Sequence, residues 1–211
     1  MEKRYCLIGA IIAGSLWGLL EATLGGFLHL IHLPRTGAIM TALGYSIISF
    51  GMSTFKPKNL SGFVLAAGVT AAAMKGADIL WFGPQRFVIN PMVAIVLESL
   101  VLGVVVYGLG RYFEKAKVTI PLAGVLSAGG WVLAFALLFQ RAQLGRFILE
   151  TAPCSVLFAA VGVTAGYLAG KYLHSPTAGL VQVRQKAFYA LSSVVIVASW
   201  VIGVAASVGV H

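Results

Sequence analysis

Four ionisable residues lie inside long apolar stretches of this 211-residue chain: Glu21, Lys75, Asp78 and Glu98. An ionisable side chain in hydrocarbon costs about 2.5 kcal/mol or more, so such groups persist where they meet a partner charge, a cavity or a ligand. Charges of both signs around one cavity would suit a polar, zwitterionic or heteroaromatic solute. We therefore predict that these four residues bind a substrate. Because Lys75 and Asp78 have the i, i+3 spacing of a shared helix face, the alternative for them is a structural ion pair.

A stripe on the first apolar segment extends this candidate site. Trp17, Glu21, Gly25 and His29 recur at intervals of four residues, which places them on one slowly drifting face of a helix. We predict substrate contacts from Trp17, Glu21 and His29. Helix packing, with Glu21 hydrogen-bonded to another span, is the alternative.

Two connecting segments supply candidates for the mouth of the site. One contains Arg35 after a proline, and the other contains Trp81 and Arg86 among turn-forming residues. A tryptophan ring can stack on a flat ligand, although tryptophans near a membrane surface also serve as anchors. Asn90, at the start of the next helix, adds a hydrogen-bonding side chain. We predict that Arg35, Trp81, Arg86 and Asn90 contact the substrate.

The sequence favours binding over catalysis. It contains no Ser-His-Asp pattern, nucleophile elbow, phosphate-binding loop or dinucleotide fingerprint. His29 and His32 have the i, i+3 spacing that lets two imidazoles meet one metal ion, but no HExxH or Cys-x-x-Cys motif accompanies them. We predict no enzymatic activity, no metal and no cofactor, so uphill transport would need an ion gradient or separate subunits.

The composition indicates the class of protein that positions these residues. Hydrophobic residues make up 59% of the chain and charged residues 10%, against about 25% charged in soluble domains, and the mean hydropathy is +0.94. We predict an all-α transmembrane bundle of six to seven spans, forming a single integral membrane domain over residues 1–211. The net charge of +9 resides in short loops, which favours an orientation signal in a lipid bilayer over a nucleic-acid surface.

Seven stretches are long enough to cross a bilayer, since a helix needs about 20 apolar residues to do so. Their approximate bounds are 5–28, 37–55, 60–82, 88–109, 120–139, 153–173 and 188–210. The first six form the predicted core, over residues 5–173, and the last is an additional C-terminal span. Residues 140–152 are predicted as a short interfacial amphipathic helix or a solvated loop, and residues 174–186 as a polar connector.

The loop charges predict an orientation. With the N-terminus in the cytoplasm, ten Lys and Arg residues lie on the inner side and four on the outer side. We therefore predict a multi-pass protein of the cell membrane. Glu21, Lys75, Asp78 and Glu98 then all fall between the outer surface and the middle of the bilayer, which suggests one pocket opening outward.

Small residues form ridges on two of the spans. Ala10, Gly14 and Gly18 follow one face of the first helix, with Gly9 and Ala13 beside them. The sixth span repeats the spacing at residues 162, 166 and 170. Such ridges permit close helix approach in membranes. Either they pack within the bundle or they dock another membrane subunit.

The small glycine- and alanine-rich bundle, the basic inner loops, the ridge at Ala10, Gly14 and Gly18, and the Asn90-Pro91 start of the span containing Glu98 together resemble an S-component of the energy-coupling factor transporters. That resemblance implies six helices and a solute site near the outer face, under the loop that contains His32, Pro34 and Arg35. It implies a vitamin or related micronutrient as substrate. It also implies docking of a coupling transmembrane subunit through the first-helix ridge, with ATP-binding subunits supplying energy.

Two other functions remain open on the sequence. The chain could be a non-catalytic membrane subunit of a redox or ion-translocating complex, with its buried charges forming a proton path. It could also be a small membrane enzyme that uses His29, His32 and Glu21 with a metal.

Overall fold

The protein is an all-α bundle. The computed structural model describes the backbone of residues 2–183 and 185–210, and the side chains of residues 4–85, 88–173 and 185–208. Every regular element in those ranges is helical. Seven helical segments there are long and apolar enough to cross a membrane. The predicted all-α fold class is thereby confirmed.

The helices follow the chain in simple order. Their bounds are α1 Glu2–Leu20, a π-helical segment Glu21–Gly25, α2 Gly26–Leu30, α3 Thr36–Phe55, α4 Leu60–Gly76, α5 Ile79–Phe82, α6 Arg86–Leu109, α7 Thr119–Phe139, α8 Leu144–Val183 and α9 Gln185–Val210. The first span comprises α1, the π segment and α2. The third span comprises α4 and α5, separated by Ala77 and Asp78.

Six of the spans form a closed ring. α1 packs on α4, α4 on α6, α6 on α7, α7 on α8, α8 on α3, and α3 returns to α1. α9 packs on the outside of the ring, mainly against α1 and the π segment, and the Trp200 Nε1 donates a hydrogen bond of 3.1 Å to the Ser15 hydroxyl. The ring therefore encloses the interior, and α9 supports one of its walls.

The alternation of the spans gives the bundle two ends of different charge. The connections at residues 31–35, 83–85 and 140–143 lie at one end, which we call the cavity face. The connections at residues 56–59 and 113–118 lie at the other, which we call the basic face. The two connections of the basic face contain four lysines, Lys56, Lys58, Lys115 and Lys117.

The ridge on α1 is covered by α4. Ala10 is 1% exposed. A Cβ added at Gly14 would collide with the Ala67 carbonyl oxygen, and one added at Gly18 would lie 2.7 Å from the Met74 sulfur. This ridge brings α1 and α4 together, as small residues do in membranes. The prediction that Ala10, Gly14 and Gly18 dock a partner subunit is therefore wrong, because another helix of the same chain occupies that surface.

The ridge on α8 has the same role against α3. A Cβ at Gly162 would collide with the carbonyl oxygen of Ala42, and one at Gly166 would collide with that of Ser46. Close approach of this kind brings Cα–H groups of one helix against carbonyl oxygens of the other. The α3–α8 pair is consequently a tightly packed seam of the ring.

α8 is much longer than the sequence predicts. It runs for 40 residues, roughly 60 Å at 1.5 Å per residue. Residues 144–152 are its first turns, so of the two predicted alternatives the helix is the correct one, but it is continuous with the sixth span instead of separate. Residues 174–183, predicted as a polar connector, continue the same helix toward α9. A physical reason is visible in the first turns: the Phe147 ring stacks on Phe135 of α7 with centroids 5.9 Å apart. That tertiary contact stabilises helix in a stretch of low hydropathy.

Candidate functional site

A cavity of about 870 Å³ opens at the cavity face of the ring. Its walls come from the first span, the 31–37 connection, α3, the start of α6, the end of α7 and the start of α8. Its polar and charged lining residues are Glu21, His29, Arg35, Thr36, Asn90, Glu98, Glu150 and Thr151. Five predicted site residues, Glu21, His29, Arg35, Asn90 and Glu98, thus meet around one cavity.

Burial divides this lining into an inner end and a mouth. Glu98, Trp131 and Met40 are 4%, 5% and 3% exposed and form the inner end. Arg35 and Asn90, together with His29 and Glu150, are exposed and form the mouth. A solute entering from the cavity face would meet charges of both signs first and the buried carboxylate last.

Glu98 is held in place by α3. The Thr41 hydroxyl lies 2.7 Å from Oε1 of Glu98 in hydrogen-bonding geometry, and the Tyr45 hydroxyl donates to the Glu98 carbonyl oxygen at 3.3 Å. The second carboxylate oxygen, Oε2, is buried and has no hydrogen-bond partner in the described chain. Leaving a buried polar atom unpaired costs about 1–3 kcal/mol, more for a charged group. Glu98 therefore retains an unused hydrogen-bonding position.

Glu21 owes its position to the π segment. That segment begins at Glu21 and widens the helix by one residue per turn over Glu21–Gly25, a feature frequent at functional sites. A Cβ at Gly25 would lie 3.1 Å from Oε2 of Glu21, so the glycine leaves room for the carboxylate beside its own helix. Glu21 and Glu98 thus line the same cavity from two different spans.

An aromatic wall faces the inner end. Trp131 and Phe135 of α7 meet edge to face at 6.3 Å between ring centroids, and Phe147 of α8 extends the wall. The Trp131 Nε1 is buried without a hydrogen-bond acceptor in the described chain. Sequence reasoning missed this wall. Its signal was the spacing of Trp131, Phe135 and Phe139, which places three rings on one helix face.

Lys75 and Asp78 do not line the cavity. Their side chains, 9% and 3% exposed, form an ion pair of 2.7 Å between Nζ and Oδ2. Asp78 lies where α4 gives way to α5. The structural alternative is therefore the correct one for this pair, since the two charges neutralise each other.

Trp17 and Trp81, two further predicted residues, also lie outside the cavity lining. Trp17 is fully buried, and its indole fills the space that a Cβ at Gly44 would need. Trp81 is 62% exposed. The side chain of Arg86 lies outside the described residues.

His29 and His32 are the two histidines whose side chains the structure describes, and they stand apart from other possible metal ligands. His32 is exposed, with Nδ1 3.0 Å from the Leu30 carbonyl oxygen, and His29 stands at the cavity mouth. Within the described ranges, no group of three or more His, Cys, Asp or Glu side chains is placed to hold a metal ion.

No family model matches this chain, and neither a curated protein nor a solved structure matches it. The site is therefore interpreted from its own geometry. It combines the buried carboxyl group of Glu98 with an aromatic wall of Trp131, Phe135 and Phe147, and places charged side chains at the mouth. This arrangement suits reversible binding of a small organic molecule through hydrogen bonds, charge and stacking.

Proposed function

We propose that this chain is a membrane-embedded binding protein that captures a small polar solute in its cavity and takes part in the solute's uptake across the cell membrane. The observation that carries the proposal is a cavity at the end of a helix ring whose inner end holds Glu98, a buried carboxylate with one unpaired oxygen. Buried charge of this kind in a membrane span marks a substrate or ion pathway by default.

The size of the cavity supports a solute of vitamin dimensions. Ligand sites usually measure about 300–1,000 Å³ and combine apolar walls with a few placed polar groups. The cavity of about 870 Å³ falls in that range. A vitamin, a vitamin precursor or a related micronutrient is the proposed class, and the chain is proposed to bind it without chemical conversion.

The mode of transport is proposed from the resemblance to S-components of energy-coupling factor transporters. A ring of six helices around a solute site near one face supports it. The surplus of Lys and Arg on the basic face supports a cytoplasmic N-terminus, with the cavity opening outward. Energy would come from a coupling transmembrane subunit and ATP-binding subunits. Because α4 covers the Ala10–Gly18 ridge, that coupling subunit would dock on another surface.

The experiment that tests this proposal looks for the solute itself. The protein is purified in mild detergent and examined by native mass spectrometry for a bound small molecule. Ala94, which lines the cavity, is replaced by Trp to fill it, and the exposed Ala73 of α4 is replaced by Trp as the matched control.

We expect wild type and Ala73→Trp to retain the same solute and Ala94→Trp to lose it. Equal retention by all three proteins would place the solute elsewhere and refute the site. A haem absorption band in place of a bound solute would instead support a subunit of a redox complex.

A further inference from the structure

We infer that the solute is a flat organic cation, such as a protonated amidine or a heteroaromatic cation, which binds with its charged end toward Glu98. This inference rests on the proposed function, since it names the chemical class that the same cavity selects. Three independent features of the site support it: the sign of the buried charge, the aromatic wall, and the pair of unpaired polar atoms.

Carboxyl groups outnumber cations around the cavity. Glu98 lines its inner end, and Glu21 and Glu150 also line it, while the ammonium of Lys75 lies outside the lining and is bound at 2.7 Å by Asp78. Arg35 and His29 stand at the exposed mouth, where water screens them. A cationic ligand would hold the carboxyl group of Glu98 in its ionised form and compensate its charge in a site of low dielectric, which neither a neutral nor an anionic ligand can do.

The aromatic wall selects the body of the ligand. Trp131, Phe135 and Phe147 present ring faces and edges to the space beside Glu98. Flat rings gain from offset stacking or edge-to-face contact, and cations gain from the negative face of an aromatic ring. A compact ammonium ion would leave most of a cavity of about 870 Å³ unfilled. A planar ring carrying the charge would use both the wall and the carboxylate.

Two polar atoms of the lining residues are buried without a hydrogen-bond partner in the described chain, Oε2 of Glu98 and Nε1 of Trp131. A carboxylate oxygen accepts, and an indole N–H can only donate. Both atoms lie beneath the cavity surface, so a ligand that donates an N–H to Glu98 and offers one acceptor to Trp131 would satisfy them once these side chains turn toward it. A metal ion would satisfy neither the indole nor the aromatic wall, and it would want several oxygen ligands at about 2.0–2.6 Å.

The test uses three probes of one shape and different charge: 2-naphthamidine, 2-naphthamide and 2-naphthoate. Binding to the purified protein is followed by calorimetry. Glu98→Gln removes the buried charge while keeping the shape. Glu114→Gln is the matched control, because Glu114 is 72% exposed and pairs loosely with Lys56 at 3.9 Å on the basic face.

We expect the amidine to bind wild type and Glu114→Gln with equal affinity, at least tenfold more tightly than the amide, with no binding of the naphthoate. In Glu98→Gln the preference for the amidine over the amide should fall at least tenfold. Tighter binding of the naphthoate, or an amidine preference unchanged in Glu98→Gln, would overturn the inference.

The proposed function has a separate readout. If native mass spectrometry finds a retained solute that is an anion or a neutral molecule, the inference of a cationic solute is wrong, while the proposed solute-binding function is supported. If no probe binds and no solute is retained, both the inference and the proposed function are refuted.

Discussion

Asp78 and Glu98 are two buried carboxylates of the same bundle with different surroundings. They are 2% and 4% exposed. Asp78 is neutralised by Lys75 from one turn earlier in the chain, whereas Glu98 has the Thr41 hydroxyl on one oxygen and no partner on the other. Two carboxyl groups buried to the same extent can therefore differ in whether the neighbouring helices satisfy them. Asp78 is satisfied by Lys75, whereas Glu98 keeps one oxygen without a partner among the described residues.

The largest effect is expected from breaking the structural pair. Lys75→Met leaves Asp78 buried without its counter-ion, which costs about 3–5 kcal/mol. We expect a loss of that size in the free energy of unfolding, measured by denaturant titration in mixed micelles. Adding Asp78→Leu to the same variant removes the remaining charge and should restore wild-type stability or exceed it. A Lys75→Met protein of unchanged stability would show that the pair is not structural.

Glu98→Gln should lower ligand affinity and leave stability nearly unchanged, whereas Lys75→Met is expected to lower stability. The glutamine side chain keeps an oxygen for Thr41, so we expect the free energy of unfolding to change by less than about 1 kcal/mol. Affinity for 2-naphthamidine should fall by about 2–3 kcal/mol, because a charge-assisted hydrogen bond is lost. Denaturant titration and calorimetry on the same preparation give both values. A variant that loses stability but binds normally would remove the distinction between the two carboxylates.

The packed seam of the ring provides a third test. Gly166→Ala places a Cβ against the Ser46 carbonyl oxygen and should cost about 1–3 kcal/mol of stability through overpacking. Gly129→Ala on α7 is the control, since nothing lies within 4 Å of its Cβ position and alanine favours the helix. Thermal denaturation in detergent should therefore show a loss for the first variant alone. Equal transition temperatures would mean that α3 and α8 can separate easily.

The smallest effect is expected at the residue that positions Glu98. Thr41→Val keeps the shape but removes the hydroxyl that lies 2.7 Å from Oε1, a loss of about 1 kcal/mol. Calorimetry should show affinity for 2-naphthamidine reduced about fivefold. Thr164→Val, whose hydroxyl donates to Ala160 within α8, is the control and should bind normally. Equal affinities in the two variants would mean that Thr41 does not orient the carboxylate.

Hydropathy and charge spacing predicted much of this molecule. The seven spans follow from apolar length alone, and Glu21 and Glu98 stood out because a carboxylate in such a span is expensive. The ion-pair alternative for Lys75 and Asp78 also came from helical spacing. The predictions of the helical spans and of the ion pair succeeded because they depend on single helices and their immediate solvent, whereas substrate binding by Glu21 and Glu98 stays a prediction.

The features that the sequence did not predict depend on which helices are neighbours, and a single sequence does not contain that information directly. Whether Gly14 packs on α4 or on another protein is decided by the ring, and so is the place of Trp17, which fills a gap beside Gly44. The π segment at Glu21 likewise has no local signature among Glu21–Gly25. The sequence left a helix or a loop open for residues 140–152, and their continuity with the sixth span was not predicted because it depends on the contact of Phe147 with Phe135 of another helix.

The length of α8 joins the two ends of the protein mechanically. Its first turns, around Leu149 and Pro153, line the cavity, and its axis continues to Val183, about 45 Å further along at 1.5 Å per residue. A tilt of about 5° at the cavity, acting over that length, would displace the far end by about 4 Å. A rigid α8 would thus carry a small movement at the cavity to the opposite end of the bundle as a larger displacement.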